Sequence, residues 1–226
     1  MSNQTLYHLI KQYGQVRTFK ANEIHHLNDT SANLYAFEQG LAFLKQLDRK
    51  GKELISNIYI KDTIFIDTSD SSNNFNSKYY FYFKETTVVY QISINTLKEA
   101  VDNTQITELI FQYINNEMKK KELKLRDYLF NGKKGALLSN IIRLTNSFGV
   151  YQKDGSIIID IIITHEDLAQ MCGMSRERVT KYISKLKAEN TLKYDKNVKK
   201  FIVKDLSSIK SQISCENCPS YLCTIS

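Results

Sequence analysis

From Gln105 to Phe130 the chain contains neither glycine nor proline. A breaker-free run of this length reads as one α-helix of about seven turns. Leu97, Val101, Ile106, Leu109, Ile110, Tyr113 and Ile114 recur along it at three- and four-residue steps, and Met118, Leu125 and Leu129 extend the stripe. A narrow apolar seam on so long a helix needs cover. One reading assigns it to a coiled coil between two copies of the chain, with Ile106, Leu109, Ile110, Tyr113 and Ile114 at the dimer contact. The other packs the seam against the chain's own preceding domain.

That preceding domain reads differently. Arg17–Lys20, Leu34–Phe37, Leu41–Leu44, Ile55–Ile60 and Tyr79–Phe83 are short runs rich in β-branched and aromatic residues. Polar turn-like clusters separate them at Asn28-Asp29, Asp48–Gly51 and Asp67–Ser77. A short helix over about residues 3–13 precedes them. Many short strands with regular turns predict a β-sandwich or barrel, so the chain as a whole is α+β.

Beyond the long helix, Gly132 and Gly135 punctuate the entry to a second helix over about Ala136–Ser147, followed by a β-branched strand at Ile157–Ile163. Thr164 then reads as an N-cap with Asp167 three residues on, opening a short helix that Gly173 ends. Ser175 caps the next, Arg176–Glu189, with Val179, Ile183 and Leu186 inward and Arg176, Glu177, Thr180, Lys181, Ser184 and Lys185 outward. Two helices about a glycine turn, followed by the short strands Thr191–Tyr194 and Lys199–Val203, form the pattern of a winged helix-turn-helix. Residues 164–210 hold eleven Lys and Arg against six Asp and Glu, which places much of the formal net charge of +7 here. Duplex DNA is the fitting partner. Arg176 and Lys181 can donate to guanine edges and Glu177 can accept from cytosine. Lys185, Lys196, Lys199 and Lys200 suit phosphates.

Three of the four cysteines lie at the C-terminus, in Cys215-Glu-Asn-Cys218-Pro219-Ser-Tyr-Leu-Cys223, beside the only proline. Thiolates at this spacing fit zinc or an iron–sulfur cluster, and three fall one short of the usual four ligands. A redox disulfide is the other use of such a pair. The N-terminus lacks the basic and apolar regions of a signal peptide, and no apolar run is long enough to span a membrane, so a cytoplasmic protein is expected. Thiols there stay reduced, which favours metal over a structural disulfide. No Ser/His/Asp constellation or glycine-rich loop marks an enzyme. Cys172, in the helix-turn-helix turn, reads as a small buried residue.

A β-rich first domain, a long helix and a C-terminal winged helix-turn-helix resemble the Crp/Fnr family of bacterial regulators. Ser175-Arg-Glu-Arg-Val-Thr-Lys181 is similar to that family's recognition helix, with lysine at 181 where arginine is usual. Arg126–Ala136, Ile142–Gly149 and the cysteine tail resemble the Bacillus-type Fnr branch. The resemblance implies a double-stranded β-helix (jelly-roll, cupin-like) domain over 1–103 and a dimerisation helix over 104–131. It implies a DNA-binding domain over 132–210 and a cluster-binding tail over 211–226. It implies a homodimer on palindromic DNA, contact with RNA polymerase, and base reading by Arg176, Glu177 and Lys181 with Ser175 and Thr180 beside them. It further implies an oxygen-labile 4Fe-4S cluster on Cys215, Cys218, Cys223 and Asp127, the last lying in Arg126-Asp-Tyr-Leu129. Structural zinc is the alternative cofactor. A glycine-glutamate stretch followed by an arginine-serine/threonine pair, as in a cyclic-nucleotide pocket, is absent from the first domain.

Overall fold

A computed structural model describes residues 2–27, 32–67, 78–213, 215 and 218–225. The chain forms two compact units, one within residues 1–117 and one within 118–225. The division falls inside the long helix rather than at its ends. The turn expected at Asn28-Asp29 and nearly all of that at Asp67–Ser77 lie outside the described residues.

In the first unit, α1 (Ser2–Tyr13) precedes eight strands: β1 (Gln15–Phe19), β2 (Ile24–His26), β3 (Asn33–Gln39), β4 (Ala42–Leu47), β5 (Glu53–Tyr59), β6 (Ile64–Ile66), β7 (Lys78–Phe83) and β8 (Thr87–Ser93). They make two antiparallel sheets, ordered β1-β8-β3-β6 and β2-β7-β4-β5. Period-two alternation divides each strand between two environments. On β3, Tyr35 and Phe37 join Phe19, Tyr59, Phe81 and Phe83 in an aromatic core drawn from both sheets. Leu34 and Ala36 face the other way, toward Leu6 and Ile10 of α1, and α2 (Ile94–Ala100) adds Leu97 to that cluster.

The long helix α3 spans Asn103–Phe148. Its start corrects the expected dimer seam at Ile106 and Tyr113. Ile106 and Tyr113 are buried in the first unit's own core, Ile110 and Ile114 pack partly against it, and Leu109 is half-buried. The Tyr113 hydroxyl donates to the Ile64 carbonyl at 2.8 Å. Burying two such side chains is worth about 1.5–3 kcal/mol each, which no residue spent inside the protomer can offer a second copy. The large apolar residues left exposed are instead Phe111, Met118, Leu125, Leu129 and Phe130. Phe111, Met118 and Leu125 recur at seven-residue steps, the coiled-coil interval.

Gly132 takes φ 58° and ψ −163°, a conformation open to glycine, and is the one non-helical residue inside α3. The two helices expected on either side of residues 132–135 thus abut at Gly132 with no linker between them. In the second unit, β9 (Gly149–Tyr151) and β10 (Ile157–Ile159) follow, then α4 (His165–Cys172), α5 (Arg176–Ala188), β11 (Leu192–Asp195), β12 (Lys200–Val203) and α6 (Leu206–Ser211). The sheet order is β11-β12-β10-β9, all antiparallel. The strand expected through Ile163 stops at Ile159. There the Asp160 amide donates to the Phe148 carbonyl at 2.7 Å, while Ile161 and Ile163 are buried without strand pairing.

Candidate metal centre and nucleic-acid interface

The helix-turn-helix is built by local chemistry. Thr164 accepts from the Asp167 amide, and the Asp167 carboxylate accepts from the Thr164 amide at 2.9 Å, a complete capping box. Gly173 closes α4 in the left-handed conformation with φ 60°. Ser175 then caps α5 by accepting from the Arg178 amide. Val179, Ile183 and Leu186 are buried, which turns Ser175, Arg176, Glu177, Arg178, Thr180, Lys181, Ser184 and Lys185 to solvent. The outward set matches the sequence reading and adds Arg178, a residue hidden in the pattern because it sits beside the buried Val179.

The exposed side of α5 carries Arg176, Arg178, Lys181 and Lys185 against Glu177, an excess of positive charge that suits an anion. Glu177 is the only acid in the first turn of α5; its own backbone amide and the Ser175 hydroxyl hold its carboxyl below the usual range. The Thr180 hydroxyl donates to the Arg176 carbonyl at 3.0 Å and meets His165 Nδ1 at 2.9 Å. His165 stacks on Phe201 and is held below the ordinary imidazole value, by burial first and then by Lys187 and Arg176. Lys199 sits exposed in the wing turn with φ 55°. Lys200 is tied to Asp160 at 2.6 Å, so a phosphate would have to share it.

The second candidate site lies in the same unit. The Asn146 amide donates to the Cys223 carbonyl at 2.8 Å, and the Ser147 hydroxyl accepts from the Ile225 amide at 3.0 Å. Ile225 is buried, so the tail docks on the second half of α3. Pro219 starts a turn in which its carbonyl accepts from the Leu222 and Cys223 amides. This docking brings Cys215, Cys218 and Cys223 to one cavity that Asp127 also lines, together with Arg126, Ser139, Ile142, Arg143, Asn146, Lys210 and Ile213.

All three thiols are free and half-buried. Asp127 is paired with Arg143 at 2.6 Å, and Arg126 Nη2 lies 3.6 Å from Cys218 Sγ. Burial pushes the Cys223 thiol up; Arg143 opposes that, while Cys218, Cys215 and Asp127 add to it. The four groups share the cavity but do not close on a common point: among the described residues no three His, Cys, Asp or Glu side chains are grouped to hold a metal ion. Two cavity-lining polar atoms, Ser139 Oγ and Arg143 Nε, are buried with no hydrogen-bond partner among the described residues. Sequence reasoning missed Arg143 and Ser139, since polar residues on a helix read as a solvated face.

Cys172 is buried, as its place in the turn suggests. It accepts from Asn140 Nδ2 at 3.4 Å, and burial pushes its thiol up to about 12. It takes no part in the cavity of the other three.

Residues 137–211 match the model of the Crp-like helix-turn-helix domain. The chain is 34% identical over 195 residues to the anaerobic regulatory protein of Bacillus subtilis (strain 168), covering 85% of this chain and 80% of that protein. Among solved structures, a CooA mutant from Carboxydothermus hydrogenoformans superposes with TM-score 0.71 at 18% identity, over 90% of this chain and 89% of that one. FixK2 from Bradyrhizobium japonicum gives TM-score 0.69 at 11% identity, over 88% and 97%. At such identities these two structures speak for the fold alone.

Proposed function

Since the chain belongs to the Crp/Fnr family of DNA-binding transcription regulators, which act as dimers and are not enzymes, we propose that it is a redox-responsive member. On this reading it holds a 4Fe-4S cluster on Cys215, Cys218, Cys223 and Asp127 and controls genes of oxygen-poor growth. The observation that carries the reading is the convergence of three free thiols and one carboxylate on a single cavity from segments about ninety residues apart.

The donor set fits the group. Three thiolates match cluster ligation, and the carboxylate supplies the fourth position that the tail lacks. Three thiolates and a carboxylate on a dicationic core leave a net negative assembly. Arg126, Arg143 and Lys210 line the same cavity and can balance it. The unpaired Arg143 Nε and Ser139 Oγ are donors that sulfur atoms could accept from. When bound, the group would supply oxygen lability. The chain's own residues do the rest: Asn146 and Ser147 hold the tail, and Arg143 holds Asp127.

The likeness to an anaerobic regulator supports the same reading. The partner is a palindromic duplex, with Arg176, Glu177 and Lys181 at base edges and Lys185, Lys199 and Lys200 at phosphates. Contact with RNA polymerase follows from the proposed role as a regulator of transcription.

The test is iron and acid-labile sulfide content, with the visible spectrum, on protein purified without oxygen. About four of each per chain, with a brown colour lost in air, is the expected result. Colourless protein with one tightly bound zinc would replace the oxygen sensor by a structural metal and leave the DNA-binding role standing.

A further inference from the structure

Asp127 and Tyr128 are neighbours in α3, so their side chains leave the helix about 100° apart. Asp127 lines the cysteine cavity. Tyr128 donates its hydroxyl to the Met171 carbonyl. Met171 is the last residue but one of α4, where carbonyls have no partner within their own helix. The bond therefore closes the end of α4 with a side chain from α3. Two residues on lies the left-handed Gly173, and Ser175 then caps the recognition helix.

A second route runs beside the first. Arg143 and Asn140 stand three residues apart on α3, one turn of the same face. Arg143 pairs with Asp127. Asn140 Nδ2 lies 3.4 Å from the Tyr128 hydroxyl and 3.4 Å from Cys172 Sγ. Asn140 is buried, and its Oδ1 has no hydrogen-bond partner among the described residues. The two segments of α3 that carry the cavity on one side thus grip the end of α4 on the other.

We propose that Tyr128 is a positioning residue whose hydroxyl, seated on the Met171 carbonyl and the Asn140 amide, transmits the state of Asp127 to the helix-turn-helix. The inference rests on the proposed cluster reading, in which Asp127 becomes a ligand in the cavity while Arg143 still holds it. The Arg143 bond engages one carboxylate oxygen, Oδ2, so ligation through the other would draw Asp127 toward the cysteines and reshape its pairing with Arg143. The turn of helix that shifts with Asp127 carries Tyr128 with it. Either the end of α4 follows, or the bond to Met171 breaks; both change how Ser175 and Arg176 are presented. Close-packed contacts of this kind switch between discrete arrangements rather than deform smoothly.

The experiment compares DNA affinity of cluster-loaded and cluster-free protein, for the full-length wild type and for Tyr128→Phe. The probe is a fluorescent palindromic duplex selected from random sequence by the loaded wild type. The wild type is expected to show a ratio between its two states in the range of about 5–150-fold. Tyr128→Phe should retain the wild-type iron content and spectrum while its ratio falls to within roughly two-fold of unity. An undiminished ratio with full iron would overturn the inference and leave the sensor reading intact, because Tyr128 would then only pack. A wild type that carries no iron, or whose two states bind equally, would remove the sensor reading and the coupling with it. If Tyr128→Phe fails to fold, Asn140→Ser takes its place, since it removes the amide contacts to Tyr128 and Cys172, along with that to the Ala136 carbonyl at 2.9 Å, while leaving the tyrosine ring, and the same outcomes decide.

Discussion

The guanidinium of Arg143 meets the carboxylate of Asp127 at 2.6 Å, with the arginine side chain 3% exposed and the aspartate 13%. The pair joins the two halves of α3 on either side of Gly132. It also engages, through one of its two oxygens, the carboxylate proposed as the cluster's fourth ligand. The same bond is therefore a structural clamp that ligation of the proposed cluster would have to accommodate.

Removing one partner should be costly. Asp127→Ala leaves Arg143 buried and uncompensated, and the cluster-free protein should lose about 3–5 kcal/mol of unfolding free energy in urea. The double substitution Asp127→Leu with Arg143→Met should recover most of that loss, because neither charge then remains buried. Equal losses in the single and double variants would show that packing, not charge pairing, holds this position.

The dimer contact should follow exposure. Leu125→Glu places a charge in the exposed stripe shared with Phe111 and Met118 and should shift the protein toward monomer in sedimentation velocity. Ile106→Glu should instead unfold the first unit, since Ile106 is fully buried there. A monomeric yet folded Ile106→Glu would return the seam to the residues named from periodicity.

That contrast shows what helical spacing reveals. The repeat of Ile106, Ile110, Tyr113 and Ile114 announces a covered face but not what covers it. The Tyr113 hydroxyl bonded to Ile64 answers that only in three dimensions. Of the second stripe, the sequence reading joins Met118 and Leu125 to the first and leaves out Phe111, although the three stand at seven-residue steps. The helix-turn-helix was legible nearly to the residue because Thr164, Asp167, Gly173 and Ser175 act within three or four positions of one another. The pairing of β1 with β8 and of β3 with both β6 and β8 links residues far apart, which no local pattern encodes. Asp127 carries no spacing signal toward the cysteines and entered only through resemblance. Arg143 lies inside Ile142–Gly149, a segment that carries the resemblance, but neither spacing nor resemblance assigns it a role.

His165 should make stability pH-dependent. Its folded-state pKa lies below the ordinary value of about 6.5, so below that pH the unfolded chain binds more protons than the fold does. The stability present above about pH 6.5 is lost as pH falls through the folded value. Urea midpoints at about pH 7.5 and 5.5 should drop further for the wild type than for His165→Gln, which keeps a partner for Thr180 but does not titrate. Parallel curves would mean that His165 is not held neutral.

Base reading by the exposed start of α5 has a distinct signature. Arg176→Ala should cost about 1–3 kcal/mol at one base position in each half-site and relax preference there, read by competition with single-base duplex variants. A uniform loss across all duplexes, with a shallower salt dependence, would make Arg176 a phosphate contact.

The isolation of Cys172 gives the molecule an internal clock. Three of its thiols line an accessible cavity, while the fourth lies in the packed turn with its pKa pushed up to about 12. A thiol reagent should thus count three sulfurs quickly and the fourth only when the helix-turn-helix opens. Its slow phase times the breathing of the DNA-binding domain in the unlabelled, full-length protein, without any engineered probe.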